Sequence, residues 1–219
     1  MKYYDSVANN PAVIEYLKQA DKNFKALGYT EQGLLHAQHT AELVDKILNC
    51  LNYSLNEIDI AKVAGFLHDI GCAIAYPEHA RSGAIMSKII LNKIGLSFND
   101  ILRIISIIGS HEDIDMIPIS DLAAAVMMAD KTDVRRERVI KTDFKFFDQH
   151  DRVHYAVVSN ILEVSKNDGT IKLRLKIDDS ICSVLEYFEL FFSRIEFCKK
   201  AAGKLGLRFE LYINEIKYL

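Results

Sequence analysis

The run "GFLHDIGCAI", Gly65 to Ile74, sets His68 and Asp69 side by side at the end of an apolar segment. Taking either group out of water costs several kcal/mol unless a partner meets it. Any fold that buries this segment must therefore bring it partners from elsewhere in the chain. With 219 residues, 50% of them hydrophobic and 26% charged, the chain can build one sizeable core and a small second unit. A net charge of −3 gives no general affinity for nucleic acid. The apolar stretches are broken by Lys, Asp or Glu well before the length of a membrane span. Cys50, Cys72, Cys182 and Cys198 have no CxxC spacing, and no apolar signal region follows Met1. They read as reduced thiols of a cytoplasmic protein.

Up to about Phe147 the periodicity is helical almost everywhere. Pro11 suits the first turn of a helix ending near Gly28. Between Gly33 and Leu51, Ala37, Leu43, Val44, Ile47, Leu48 and Leu51 share one sector of a helix. "SLNE", Ser54 to Glu57, is a capping box opening a third helix, expected to end at Gly71. A fourth runs through "EHARSGAIMSKIILNKIG" to Gly95. "SFND" caps a fifth, which leads through Ile101, Ile104, Ile105 and Ile108 to His111. Pro118 is expected to open a sixth, ending at Asp130. The texture then changes. "YAVVSNILEV" and "TIKLRLKID" are β-like and are joined by the turn signal "NDG". A strong helix, "SICSVLEYFELFFSRIEFCKKAAGKLG", and a last strand, "LRFELYINE", follow. The expected fold is mainly α, with a helical domain over residues 1–148 and a small α+β unit of β-β-α-β order over 149–219.

Helical phase singles out polar groups on buried faces. His36 lies in the apolar sector of its helix. His68 shares a face with Ile58, Ala61 and Gly65, His111 follows Ile108 by one turn, and Asp130 follows Val126 likewise. One such residue alone reads as a hydrogen-bonded core group. Four helices each delivering an imidazole or carboxylate inward are more simply explained by a shared cation, which neutralises the acids and takes the ring nitrogens together. Imidazole and carboxylate without thiolate suit iron, manganese, zinc, cobalt or nickel and argue against calcium. Ligands scattered over nearly a hundred residues resemble a catalytic centre on a helical frame more than a structural zinc site.

His36, then His68-Asp69, then Asp130 resembles the H…HD…D pattern of the HD-domain superfamily of metal-dependent phosphohydrolases. "GFLHDIG" and "MMADKTD" have the flavour of that family's motifs, and the resemblance runs from about Gly33 to Asp133. His79 in "EHARSGA" and His111 in "GSHED" stand at points where two-metal members, including diadenosine-tetraphosphate hydrolases and the HD-GYP phosphodiesterases, have histidines. The resemblance implies a first divalent ion held by His36, His68, Asp69 and Asp130. Asp69 would bridge to a second ion held by His79 and His111, with Glu112 completing that site or facing solvent. One ion or two, magnesium included, stays open. Three departures stand out. Cys72 replaces a lysine common in relatives, no GYP follows His111 in "EDIDMIPI", and the HDxxED variant of the alarmone hydrolases is absent.

The implied activity is hydrolysis of a phosphoester in a nucleotide or another small phosphorylated molecule. His68, Asp69 and Lys131 would be the catalytic residues, with Lys131, Arg135 and Arg138 as cations for phosphate oxygens. A solvated helix face is the plainer reading of that charge run. Asp133 could orient a ligand from behind. His39 reads as a flanking or surface residue, and the second "HD", His150-Asp151, as coincidence. The helix from Phe188 to Phe197 reads as core packing. Two other readings remain open: a di-iron oxygenase like the inositol oxygenases, and a non-catalytic nucleotide sensor whose terminal unit binds a partner. No membrane or nucleic-acid partner is expected, and the terminal unit leaves a homodimer open.

Overall fold

A computed structural model describes residues 2–28, 30, 33–112, 115 and 117–219. Asp113, Ile114 and Met116 of the "EDIDMIPI" run therefore lie outside the described residues. The helices are α1 (Tyr4–Ala8), α2 (Pro11–Leu27), α3 (Leu34–Cys50), α4 (Leu55–Leu67), α5 (His79–Ile94), α6 (Phe98–Ser110) and α7 (Asp121–Lys131). The terminal part follows as α8 (Gln149–Ala156), β1 (Val157–Ser165), β2 (Thr170–Ile177), α9 (Val184–Lys204), β3 (Arg208–Ile213) and β4 (Ile216–Lys217). The chain is mainly α with a small α+β end, as its periodicity implies. No helix among the described residues is long and apolar enough to cross a membrane.

Local signals set most boundaries. Asn10 caps α2, with Pro11 in its first turn and left-handed Gly28 closing it. The Ser54–Glu57 capping box forms at α4, and Gly95 ends α5. Three expectations shift. α4 stops at Leu67 instead of Gly71, because the ring Nδ1 of His68 donates to the Gly65 carbonyl at 2.7 Å. That carbonyl is the one another helical turn would use, and the chain tightens into a 3-10 turn over Ile70–Ala73. α7 begins at Asp121, since the Ser120 hydroxyl accepts from the Ala123 N–H and outcompetes Pro118 as a start signal. Tyr155 and Ala156 finish α8 instead of starting a strand, because Asp148 and Asp151 form a capping box there. The second "HD" thus includes a cap residue.

β1 and β2 form the antiparallel hairpin, from Val157 opposite Ile177 to Ser165 opposite Thr170. β3 adds parallel to β2 after α9 crosses over, and β4, an extra short strand, pairs antiparallel with β3. Ile171, Leu173, Leu175 and Ile177 are all buried, as are Phe209, Leu211 and Ile213. One apolar cluster runs from Val7 and Leu17 through α3, α4, α6 and α7 to Phe191, Cys198 and Leu211. The helical part and the sheet share that core.

Backbone proximity at Gly71 positions the centre described next. A Cβ there would lie 2.1 Å from the His79 carbonyl oxygen and 2.7 Å from the Gly83 nitrogen. Only glycine lets the turn after Asp69 lie against the first turn of α5. The Asn23 amide on α2 holds the same turn by donating to the carbonyls of Cys72 and Ala73 at 3.0 and 3.1 Å.

Candidate metal centre

Four histidines from four elements meet in the interior. His36 comes from α3, His68 from the end of α4, His79 from the start of α5 and His111 from the end of α6, each 4% exposed or less. Every Nδ1 has an acceptor. His68 donates to the carbonyl of Gly65, His79 to that of Tyr76 at 2.8 Å and His111 to that of Ile108 at 2.7 Å. Each ring satisfies the carbonyl three residues back; at His68 and His111 that carbonyl belongs to the last turn of a helix, whereas His79 opens α5 and reaches back to the loop before it. His36 Nδ1 instead meets the Asp133 carboxylate, Oδ2, at 2.6 Å. A carbonyl only accepts, so Nδ1 carries a proton in His68, His79 and His111, which leaves the inward-pointing Nε2 of each as the atom that can ligate a cation.

Those Nε2 atoms face one another in pairs. His36 and His68 are 3.2 Å apart at Nε2, and His79 and His111 are also 3.2 Å apart. Two lone pairs at that distance repel unless a cation lies between or beside them. Asp69 stands between the pairs. Its Oδ2 is 3.3 Å from His68 Nε2 and 3.8 Å from His36 Nε2, while Oδ1 is 3.1 Å from His79 Nε2 and 3.5 Å from His111 Nε2. Asp130 Oδ1 adds a second acid to the first pair, 3.4 Å from His36 Nε2 and 3.8 Å from His68 Nε2. Glu112 reaches the other pair from the rim, its Oε2 3.6 Å from His79 Nε2.

The donor set fits divalent ions. Ligand atoms of His36, His68 and Asp130 lie within 4.8 Å of one another, as do those of His79, His111 and Glu112, and Asp69 joins neighbouring groups. Bonds of about 2.1 Å at right or tetrahedral angles put donor atoms roughly 3.0–3.4 Å apart, close to most of the separations here. Cys72 is near Asp69 and His79, but burial, with Asp69 next, pushes its thiol far up and keeps it protonated.

Without an ion, protons do part of this work. Burial alone would lower the His68 pKa, but the Asp69 carboxylate outweighs it and holds the ring at about 9. His79 is likewise raised against the pull of burial by its contact with Asp69. Burial opposes the charge on Asp69, yet His68, His111 and His79 hold its carboxyl well below the usual range. Asp130 is held down in the same way by Lys131 and the two rings of its pair.

The expected cations take distinct places. Lys131 is 8% exposed, with Nζ 2.7 Å from Glu112 Oε1 and 2.8 Å from Asp130 Oδ2, at the edge of the centre. Arg135 and Arg138 stand behind it. Arg135 pairs with both oxygens of Asp133 through Nε and Nη2. Arg138, 1% exposed, donates from Nη1 to the Asp133 backbone carbonyl at 2.7 Å. Asp133 itself is fully buried, and burial is outweighed by Arg138 and His36, which hold its carboxyl well below the usual range. His39 lies alongside, Nε2 3.7 Å from Asp133 Oδ1. A residue the sequence passed over enters from the terminal unit. Arg194 on α9 has its guanidinium 4.5 Å above the Phe191 ring, one turn before Phe197, whose ring lies 5.3 Å below Lys131 Nζ. A lone arginine inside the aromatic run "FFSRIEF" was the available signal.

Residues 33–135 match the family model of the HD domain. No curated protein matches the chain. The matched span begins just before α3 and ends just after Asp133, and it contains His36, the His68-Asp69 pair, His79, His111 and Asp130. With motif, order and convergence in agreement, the span 33–135, just under half of the chain, is an HD domain.

Proposed function

We propose that the chain is a metal-dependent phosphohydrolase acting on a phosphoester of a nucleotide or another small phosphorylated molecule. The observation that carries this reading is the pair of facing Nε2 couples, each 3.2 Å across, on either side of one carboxylate. It supports two ions. His36, His68, Asp69 and Asp130 hold the first, and Asp69, His79 and His111 the second, with Glu112 at its rim. Divalent ions in such a setting act as Lewis acids toward phosphoryl oxygens and lower the pKa of water into the neutral range. Iron, manganese, cobalt, nickel and zinc suit the ligands best, and magnesium is compatible with the carboxylates.

The chain's own groups prepare that chemistry. The four Nδ1 acceptors fix ring orientation and tautomer, so no reorganisation is needed when a ligand arrives. His68 and Asp69 act as ligands at the reacting centre. Lys131 sets the charge of its open edge, shared with Asp130 and Glu112. Arg135 and Arg138 act through Asp133, keeping the acid ionised so that it orients His36. The test is metal analysis of purified protein, followed by a panel of phosphomonoesters and phosphodiesters with each divalent ion under anaerobic conditions. Turnover with a redox-inert ion and no oxygen is expected. Turnover that needs oxygen and reduced iron would replace this reading with an oxygenase, and stoichiometric nucleotide binding without turnover would replace it with a sensor.

A further inference from the structure

The cations around the centre are not equivalent. Lys131 is shared between two carboxylates. Arg135 and Arg138 are engaged by Asp133, and Arg136 donates from Nε to the Tyr155 carbonyl. Arg194 differs. Its Nη1 is sealed from solvent and has no hydrogen-bond partner among the described residues. The Phe191 face below it takes the charge but cannot accept an N–H. His154 and His150 flank the same ring at 5.4 and 6.4 Å, and both nitrogens of His154 are buried without partners. Among the described residues no acid of α8 or α9 forms an ion pair with Arg194.

The packing of α9 on α7 brings this guanidinium into the neighbourhood of the metal centre. α9 packs along α7, with Phe197, one turn after Arg194, under Lys131. The Arg194 charge is felt at Lys131 and at Tyr76. Tyr76 stacks on the ligand ring of His79, 5.3 Å between centroids and 12° between planes. Arg194 in turn feels Asp130 and Asp133, while burial and Arg138 lower its own pKa. The site that binds an anion at the ions would thus have a planar, five-donor fork beside it with a donor unused.

We infer that Arg194 is the substrate's anion receptor: the α+β unit supplies through α9 the guanidinium that holds a phosphoryl oxygen at the HD centre. This rests on the phosphohydrolase reading for its substrate, but anion binding can be measured without turnover. The probe is inorganic phosphate, titrated calorimetrically into manganese-loaded full-length protein. Arg194→Gln and Arg194→Lys are compared with Lys199→Gln, which removes an exposed charge from the same helix. The expected result is at least tenfold weaker phosphate binding in R194Q and several-fold in R194K, with K199Q at the wild-type value. Metal content should be unchanged in all three. R194Q should melt close to wild type, because the lost contact with the Phe191 ring is offset by removal of a buried, unpartnered donor. For hydrolysed esters, KM should rise more than kcat falls. Wild-type phosphate affinity in R194Q, or loss of metal from it, would overturn the assignment. If R194Q cannot be purified, R194K decides: unchanged affinity overturns it and a several-fold loss at full metal content sustains it. Phosphate binding through Arg194 without ester turnover would uphold the receptor and sink the hydrolase. Turnover with identical kinetics in R194Q would do the reverse.

Discussion

Replacing Asp69 by asparagine is the sharpest perturbation of the centre, because one carboxylate faces both imidazole pairs. The amide keeps the shape but has one oxygen, and its NH2 offers no lone pair to a cation. Both pairs lose an anionic neighbour at 3.1–3.3 Å, and whichever way the amide turns one of them meets an N–H donor. The His68 ring, held at about 9 against an ordinary 6.5 and against burial chiefly by Asp69, with Asp130 and the Gly65 carbonyl adding to it, sets the order of magnitude of that neighbour's worth. The difference corresponds to about 3 kcal/mol for a single positive charge at full burial. A divalent ion in the same field loses a similar amount, which at about 1.4 kcal/mol per decade is roughly 100-fold in affinity.

The assay is metal content per chain by mass spectrometry after loading with manganese and desalting, with affinity from competition against a chromophoric chelator. D69N should drop from two ions to one or none, weaken whatever remains about 100-fold, and lose turnover while keeping its helical circular dichroism. A D69N protein that still carries two ions at wild-type affinity would refute the bridging role and the account of the site built on it.

Acidity gives the next test. Because the folded pKa of His68 lies above its unfolded value, its protonation stabilises the metal-free protein fully below about pH 6.5, and this is lost as pH rises through about 9. Asp69 and Asp130 stay ionised across that window. The metal-free melting temperature should therefore fall between pH 6.5 and 9, by up to about 3 kcal/mol of stability, while metal affinity rises; a flat metal-free profile in differential scanning fluorimetry would contradict this. Asp133→Asn removes the charge that orients His36 at 2.6 Å and should weaken metal binding roughly 10- to 100-fold; unchanged calorimetric affinity would show the contact to be incidental. Gly71→Ala must move the His79 carbonyl from 2.1 Å, at a cost of about 1–3 kcal/mol. Metal analysis should show loss of the His79/His111 ion before the other, and two tightly held ions in G71A would count against it.

What the sequence revealed depended on periodicity. His36, His68, His111 and Asp130 were visible because each falls on the apolar face of a helix whose phase the neighbouring isoleucines, leucines and valines define. Ser54, Ser97 and Gly95 marked boundaries because capping is local chemistry. Past Lys131 that guide fails. Arg135 and Arg138 lie in a segment without repeat, so nothing in the spelling says that Arg138 turns inward to the Asp133 carbonyl. The helix end at Leu67 was hidden because a side chain, His68 Nδ1, takes a backbone's place there. α8 was hidden by β-like Val157 and Val158, which outweighed a capping box in "DQHD". Arg194 was legible as an oddity within an aromatic helix, but its neighbourhood depends on how α9 crosses α7, a tertiary fact with no local trace.

The α+β unit has a physical part in the centre even apart from Arg194. Metal ligation tolerates errors of only about 0.2 Å in donor position, yet the residues that set His36 and Asp130 lie where α7 ends, and a helix end leaves its last carbonyls unsatisfied. Asn160 on β1 answers this. Its Nδ2 donates to the Thr132 carbonyl at 2.7 Å and to the Val134 carbonyl at 3.0 Å, gripping the chain on both sides of Asp133. The hairpin is fastened to α3, which carries His36, by Lys46 Nζ on the Leu162 carbonyl at 2.5 Å and Cys50 Sγ on the Val164 carbonyl at 3.2 Å. β1 thus ties the helix bearing His36 to the loop bearing its orienting acid. A helical bundle alone could bring the ligands together; it is the sheet that fixes the angle at which one of them is held.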